Sequence, residues 1–231
     1  MTGSGLRFEV PGEWPVTQEQ ALAEQDRLRP LVRRAGLRMS EVRTVAGLDV
    51  SYAKDSDWLV AAVVTLAADT LAPVERHTVA GTAIFPYVPG LFAFRELPTL
   101  LNALALLETA PDVLVCDGYG LAHPRRFGLA SHVGVLTGVP SIGVAKTAFV
   151  GEYTEPAAER GAYTELRDGD EVIGRVLRTR DGVKPVFVSI GHAVDLDTAT
   201  ELVLALTPRY RLPETTRAAD HLSREALKQL T

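Results

Sequence analysis

Residues 112–146, DVLVCDGYGLAHPRRFGLASHVGVLTGVPSIGVAK, decide the fold of this chain. The apolar run at residues 112–117 predicts a short buried strand, and a glycine-rich loop follows it. A helix is predicted at residues 127–137 and another short strand at residues 141–146. This order makes a βαβ unit, which requires two parallel strands joined by a right-handed crossover. The stretch therefore predicts an α/β fold.

The flanking segments complete a mixed sheet. Residues 42–52 and 58–67 are rich in Val, Ala and Leu, and the turn KDSD between them predicts a β-hairpin. Residues 74–84 add a third strand to this antiparallel meander. Further predicted elements are a helix at 17–34 with a Thr17–Gln20 capping box, a helix at 91–108 that Pro98 kinks or divides, strands at 171–180 and 185–190, and helices at 196–206 and 218–230. Without a repeat or linker, residues 1–231 are predicted to form one domain, with a mixed sheet flanked by helices.

The composition is that of a globular protein with a real core. The chain has 231 residues, of which 46% are hydrophobic, and no apolar run reaches the length of a membrane span. A secretion signal pattern is also lacking, so a cytoplasmic location is expected. The net charge of −5 argues against bulk electrostatic coating of nucleic acid, but it allows an enzyme with a local basic face. The single cysteine, Cys116, lies in an apolar run and is interpreted as a buried strand residue.

The stretch FPYVPGLFAFRE, residues 85–96, predicts a stiff loop that opens into a helix. Pro86 and Pro89 restrict the backbone and lack an N–H, so this loop joins neither a sheet nor a helix. Such a loop would present Tyr87 as a rigid aromatic wedge. The alternative is a proline-rich turn whose Tyr87 packs on the core.

Three carboxylates are candidates for one site. Asp49 and Asp117 interrupt apolar strands, and Glu96 lies on the helix between them in sequence. Carboxylates about 5 Å apart repel by roughly 3 kcal/mol at an effective dielectric of 20, and a bound divalent cation removes that cost. Because the ligands are hard oxygens, Mg²⁺ or Mn²⁺ is favoured over zinc. The alternative is that the two aspartates merely cap turns at strand ends.

Basic residues accompany this acidic set. Lys146 ends the strand after Asp117, so its ammonium is expected near the same site, where it would orient a water or stabilise charge on a phosphate. His123 is a candidate for contacting a phosphate or holding the loop, and Arg125 and Arg126 precede a helix N-terminus suited to a phosphate backbone. A basic face would draw on seven residues: Arg95, Arg125, Arg126, Lys146, Lys184, Arg209 and Arg211.

These motifs together resemble the endonuclease V family of repair nucleases. The matching strings are VAGLDVSY (45–52), FPYVPGLFAFRE (85–96), PDVLVCDGYGLAHPRRFGLASHVG (111–134), VPSIGVAKT (139–147) and YRLPETTRAAD (210–220). The resemblance implies an RNase H-like fold and Mg²⁺-dependent hydrolysis of DNA at the second phosphodiester bond 3′ to deoxyinosine, leaving 3′-hydroxyl and 5′-phosphate ends. Mn²⁺ is expected to substitute for Mg²⁺.

The resemblance also implies roles for individual residues. Asp49 and Asp117 become metal ligands, Glu96 the third acidic residue and Asp220 a possible outer ligand. Lys146 becomes the active-site lysine and His123 a further site residue. Tyr87, with Pro86 and Pro89, becomes the wedge that contacts DNA at the lesion. Tyr119 occupies a variable position and is expected to serve the loop structure only.

Inosine recognition is expected in a pocket formed by backbone amides near Gly90, Gly118 and Gly120. This pocket would exclude the exocyclic amine of guanine, which inosine lacks. The expected partner is deoxyinosine-containing DNA bound by a monomer.

Three alternatives remain open. The first is an endoribonuclease of the same family that acts on inosine-containing RNA. The second is a sugar-kinase-like or actin-like ATPase, because GLDVS and the DGYG loop loosely resemble phosphate loops on an RNase H-like core. The third is a lesion-binding module without catalysis.

Overall fold

A single mixed β-sheet forms the centre of the molecule. The computed structural model describes residues 5–230, and within that range eight strands pair in the order β3-β2-β1-β4-β5-β8-β7-β6. The strands are β1 (Thr44–Tyr52), β2 (Trp58–Ala67), β3 (Pro73–Thr82), β4 (Val113–Asp117), β5 (Ser141–Ala145), β6 (Tyr163–Asp168), β7 (Glu171–Leu177) and β8 (Val186–His192). Among the described strands, the parallel pairs are β1 with β4 and β4 with β5, so β4 has a parallel neighbour on each side.

Helices cover both faces of the sheet. They are α1 (Gln18–Leu28), α2 (Ala93–Leu104), α3 (Leu129–Thr137), α4 (Leu196–Ala205) and α5 (Glu214–Leu230). Helices α2 and α3 enclose one apolar cluster with β1 and β4, whereas α4 covers a second cluster on β4, β5 and β8. No helix in the described part of the chain is long and apolar enough to cross a membrane.

The hairpin and the βαβ unit are confirmed. Strand β1 pairs antiparallel with β2 from Thr44 to Tyr52, and β4, α3 and β5 follow one another as predicted. The predicted capping box is also present, since the Thr17 side chain accepts from the Gln20 backbone and the Gln20 side chain from the Thr17 backbone.

Several predicted boundaries are wrong, and proline explains two of them. Helix α1 ends at Leu28, because Pro30 converts the following residues into a short 3-10 turn. Pro98 does not start a second helix, since α2 runs through it and ends at Leu104 rather than residue 108. Helix α5 begins at Glu214, four residues earlier than predicted, directly after Pro213.

The far side of the sheet differs most from the prediction. Strand β6 was not predicted, because YTELRD buries only Leu166 and shows a weak hydrophobic pattern. Strand β8 pairs antiparallel with β5 and carries β7 and β6 as a second meander. The parallel region is therefore flanked by antiparallel strands on both sides.

Helix α5 packs unusually close to β1, and Gly47 is the reason. A Cβ atom at Gly47 would lie 2.2 Å from the backbone carbonyl of Thr215, far inside van der Waals contact. The missing side chain lets the first turn of α5 lie directly on the strand. This close approach fixes the helix beside the next residues of β1 on the same face, Asp49 and Ser51.

Candidate active site

Asp49 and Asp117 lie side by side on neighbouring parallel strands. The register between β1 and β4 ends at Leu48 opposite Cys116, and the two aspartates come directly after this pair. Side chains at matching positions point to the same face of a sheet, so the carboxylates share one face. Strand β4 ends at Asp117, whereas β1 continues to Tyr52 in its pairing with β2. Asp49 therefore marks the end of the parallel pairing rather than the end of its strand.

Helix α5 places polar groups against Asp49. The Ser223 hydroxyl donates to Asp49 Oδ2 at 3.0 Å and lies 2.8 Å from the Ser51 hydroxyl. Asp220, about one turn earlier on α5, lines the same cavity as Asp49 and forms an ion pair of 2.8 Å with Arg224. Ser223 was not predicted as a site residue, because it is 174 residues from Asp49 and belongs to none of the motifs.

Glu96 reaches the site from α2, on the other face of the sheet. The Tyr52 hydroxyl donates to Glu96 Oε1 at 3.3 Å, and the glutamate is buried. A cavity of about 250 Å³ is lined by Asp49, Glu96 and Asp117 together. The structure thus brings the three predicted carboxylates to one place. Tyr52 closes the motif VAGLDVSY, so its position in sequence was a signal that went unused.

Burial and mutual repulsion both act on these carboxylates. Burial raises the pKa of Asp49 to about 7; the Ser223 hydrogen bond opposes this rise, and the charges of Asp220 and Asp117 add to it. Burial likewise raises the pKa of Glu96 to about 8, with a further contribution from Asp49. Both carboxyl groups therefore resist ionisation in their buried surroundings, and a cation bound beside them would favour the ionised forms.

Lys146 supplies one positive charge. It follows β5 directly, and its Nζ lies 2.5 Å from Asp117 Oδ2, with about half of the side chain exposed. Arg211 donates to the Lys146 carbonyl at 2.7 Å and to the Pro185 carbonyl at 2.8 Å, which holds the backbone of the lysine in place. The predicted proximity of Lys146 to the carboxylates is thus what the structure shows.

The donor set suits a hard divalent cation, although the side chains do not yet converge on one. Aspartate and glutamate oxygens are the ligands that Mg²⁺ and Mn²⁺ prefer. Within residues 5–230, however, no three Asp, Glu, His or Cys side chains are arranged to hold a metal ion as they stand. In the present arrangement Asp117 is paired with Lys146, and Asp49 accepts from Ser223.

The proline-rich loop exposes its aromatic side chain. Tyr87 is 71% exposed, and its ring makes an edge-to-face contact with Phe92, with ring centroids 5.7 Å apart. Phe85, two residues earlier, is the buried aromatic residue of this loop. The alternative in which Tyr87 packs on the core is therefore wrong.

A second cavity of about 380 Å³ lies between this loop and the turn that follows β4. The loop contributes Tyr87, Pro89 and Gly90, while Asp117 and Lys146 connect this cavity to the carboxylates. Its other lining residues include Gly118, Tyr119, His123, Phe127 and Phe149. Tyr119, expected to serve the loop alone, stacks against Phe149 with centroids 5.3 Å apart and so forms part of the wall.

Two of the predicted amide donors are already engaged. The Gly120 N–H donates to Ser189 Oγ at 2.9 Å, and a Cβ at Gly120 would clash with the Ile190 carbonyl at 2.0 Å. Gly120 thus packs beneath the loop, and its amide does not face the cavity. Gly118 does line the cavity, but its N–H donates to the Val144 carbonyl at 3.3 Å.

His123 lies beneath the proline-rich loop and not among the carboxylates. Its Nδ1 accepts from the Arg125 N–H at 3.2 Å, and its ring hydrogen-bonds the backbone of Gly90. Burial lowers the pKa of His123 to about 4, so the ring is neutral at pH 7. Its surroundings therefore suit holding the loop better than transferring a proton in the carboxylate site.

Most of the predicted basic face consists of structural ion pairs. Arg125 pairs with Asp26 at 2.6 Å, and Arg126 pairs with Asp168 and Glu171 at 2.8 and 2.7 Å. These bonds tie the loop after β4 to α1 and to the β6–β7 hairpin. The arginines thus have structural partners at the positions predicted to hold a phosphate backbone.

Among the remaining residues of the predicted basic face, two have structural partners and two lie away from the carboxylates. Arg95 pairs with Asp57 at 2.8 Å, and Arg211 holds the Lys146 carbonyl. Lys184 and Arg209 are exposed and lie outside the cavities around the carboxylates. Lys146 is the member of the set that meets the acidic site.

Comparison with known proteins gives one consistent result. The endonuclease V family model matches residues 26–221. Endonuclease V of Nocardia farcinica is 58% identical over 221 residues, which cover 96% of this chain and 97% of that protein. The crystal structure of endonuclease V from Streptomyces avermitilis has a TM-score of 0.90 at 54% identity and covers 98% of this chain and 99% of its own.

A more distant structure carries a nucleic acid. Endonuclease V of Ciona intestinalis, in complex with a 24mer DNA containing an inosine followed by a ribo-adenosine, has a TM-score of 0.82 at 30% identity. The match covers 91% of this chain and 97% of that one. These similarities confirm the predicted RNase H-like mixed sheet.

Proposed function

The chain belongs to the endonuclease V family of endonucleases, and from this premise we propose that it is a metal-dependent DNA repair enzyme acting on deoxyinosine. The proposed reaction hydrolyses the second phosphodiester bond 3′ to the lesion and leaves 3′-hydroxyl and 5′-phosphate ends. The observation that carries the proposal is that Asp117 and Lys146 line two cavities: the one beside Tyr87, here called the aromatic cavity, and the one that contains Asp49 and Asp220, here called the carboxylate cavity. A base held in the aromatic cavity would therefore place its own DNA strand beside the carboxylate cavity.

The carboxylate cavity is the proposed centre of hydrolysis. Asp49 and Asp117 would hold Mg²⁺, or Mn²⁺ in its place, with Glu96 and Asp220 as further oxygen donors. When bound, the ion supplies charge stabilisation at a phosphate oxygen and lowers the pKa of a bound water. Lys146 would exchange its bond to Asp117 for one to a phosphate oxygen and so stabilise the charge that develops there.

The aromatic cavity is the proposed base pocket. Moving a base out of the duplex costs a few kcal/mol, and stacking on an aromatic ring returns about 1–3 kcal/mol. Tyr87 suits this role because its ring is exposed on a loop that two prolines stiffen, so little conformational freedom is lost on binding. Binding of inosine-containing DNA by the Ciona intestinalis relative supports this substrate class. We further propose that the protein acts as a monomer in the cytoplasm.

A nicking assay tests the proposal. Substrates with one inosine in single-stranded DNA, duplex DNA or RNA are incubated with and without Mg²⁺, and the cleaved bond is mapped. The wild type should cut inosine-containing DNA only with the metal, and Asp117→Asn should lower the rate at least about a hundredfold. The matched control is Asp170→Asn, an exposed aspartate on the β6–β7 turn, which should cut normally.

Three outcomes would contradict the proposal. Full activity in Asp117→Asn removes the carboxylate site from the chemistry. Faster cutting of the RNA substrate favours the endoribonuclease alternative. Tight binding of inosine-containing DNA without cleavage under every metal condition leaves a lesion-binding module.

A further inference from the structure

Gln25 joins the N-terminal helix to the loop that carries Tyr87. This side chain on α1 is 1% exposed, and its Nε2 donates to the Gly90 carbonyl at 2.9 Å and to the Phe127 carbonyl at 3.3 Å. Because both partners are acceptors, the amide nitrogen must face them. One side chain thus connects α1, the proline-rich loop and the loop that precedes α3.

The bond to Gly90 matters because this loop has few ways of holding its shape. Pro86 and Pro89 have no N–H to donate, and Gly90 has a φ of +82°, a backbone conformation that other residues rarely adopt. The Arg95 guanidinium holds the near end of the loop through the Phe85 carbonyl at 2.8 Å. The far end is held at Gly90, by Gln25 together with the His123 ring. Tyr87 lies between these two attachments.

We propose that Gln25 is a positioning residue for lesion recognition. By fixing the Gly90 carbonyl, it holds the loop so that the Tyr87 ring stands at the mouth of the aromatic cavity. The consequence for inosine binding rests on the proposed function, whereas the restraint on the loop does not. Gln25 lies one residue before the matched family segment, and none of the sequence motifs points to it.

Gln25→Met tests the restraint, because methionine has a similar volume and no donor. The variant leaves the Gly90 carbonyl with His123 alone and removes the donor from Phe127. Hydrogen exchange of the Leu91 amide, which donates within the loop to the Val88 carbonyl at 3.0 Å, should accelerate at least about threefold. Exchange in β1 and β4 should not change. The matched control is Gln18→Met on the exposed side of the same helix.

A double-mutant cycle tests the consequence for recognition. Dissociation constants for an inosine-containing duplex are measured in EDTA, so that cleavage does not interfere. Gln25→Met and Tyr87→Ala should each weaken binding about tenfold. If Gln25 acts through Tyr87, then Gln25→Met in the Tyr87→Ala background should weaken binding less than about twofold. The kcat of Gln25→Met at saturating substrate should stay near the wild-type value, with the loss in KM.

The outcomes are separable. Unchanged Leu91 exchange, or fully additive losses in the cycle, overturns the role of Gln25. A wild type that binds inosine-containing and undamaged duplexes equally overturns the proposed function, and the exchange experiment still decides the restraint. If Gln25→Met does not fold, Gln25→Asn, which keeps the amide but is one methylene shorter, takes its place in both experiments.

Discussion

Adding one methyl group at Gly47 should disturb both stability and the carboxylate site. In Gly47→Ala the new Cβ would lie 2.2 Å from the Thr215 carbonyl, whereas ordinary contact begins at 3.4 Å. The first turn of α5 must therefore retreat by about 1.2 Å. The atoms that the new Cβ would meet belong to the backbone of α5, so no side-chain rotation can relieve the contact.

The magnitude follows from this displacement. Overpacking of this kind costs about 1–3 kcal/mol, and the smaller conformational freedom of alanine in the unfolded chain returns up to about 1 kcal/mol. A retreat of α5 also lengthens the 3.0 Å bond from Ser223 to Asp49 to about 4 Å, which breaks it and costs a further 0.5–1.5 kcal/mol, roughly. The expected net loss in the free energy of unfolding is about 1–3 kcal/mol. Because Asp220 moves with the helix, the nicking rate should fall at least about tenfold.

Urea denaturation and the nicking assay measure the two effects on the same samples. The matched control is Gly12→Ala, since a Cβ there meets nothing within 4 Å and the glycine has no positive φ. The control should keep both its unfolding midpoint and its rate. A Gly47→Ala protein as stable and as active as the wild type would refute the close approach of α5 to β1.

Two further predictions concern charge. Lys146→Met should lower the nicking rate at least about tenfold. It should change the free energy of unfolding by less than about 1 kcal/mol, because the ion pair of Lys146 with Asp117 is half exposed. The control is Lys184→Met at an exposed position, and a large loss of stability without loss of rate would contradict the role of Lys146. In EDTA, the stability of the wild type relative to Asp49→Asn should decrease as the pH rises from about 4 to 7. Burial raises the pKa of Asp49 to about 7, so over this range the folded state keeps a proton that the unfolded chain has released. Urea midpoints of the two proteins that differ by a constant amount across this range would contradict the prediction.

Local pattern was enough to predict the centre of the fold. The hairpin β1–β2 and the β4–α3–β5 unit are confirmed, because their strands are continuous apolar runs bounded by turn or loop residues. Strand β6 was missed because an edge strand with one buried side chain, Leu166, has almost no hydrophobic period. The antiparallel partnership of β5 with β8 was also beyond local pattern, since their pairing depends on contacts about 45 residues apart.

In the candidate site, too, local sequence pattern predicted some residues, and others depend on contacts between distant segments. Asp49 and Asp117 were predictable, because a charged residue inside an apolar strand violates the pattern and so identifies itself. Gln25 and Ser223 look like ordinary residues of amphipathic helices, and only the folded chain shows what they touch. For Arg125 and Arg126 the sequence pattern predicted a role in binding phosphate, because a basic pair precedes a helix. Their ion-pair partners, Asp26, Asp168 and Glu171, are too distant in sequence to be recognised from the pattern.

The contact between α5 and β1 has a consequence for biosynthesis. Asp49 leaves the ribosome 174 residues before Ser223, whose hydroxyl donates to it from α5. Until that helix docks against the glycine of β1, a nascent copy has its strand aspartates but neither Ser223 nor Asp220 beside them. If the carboxylates act as proposed, a nascent chain therefore completes its site only after α5 has been synthesised and has docked.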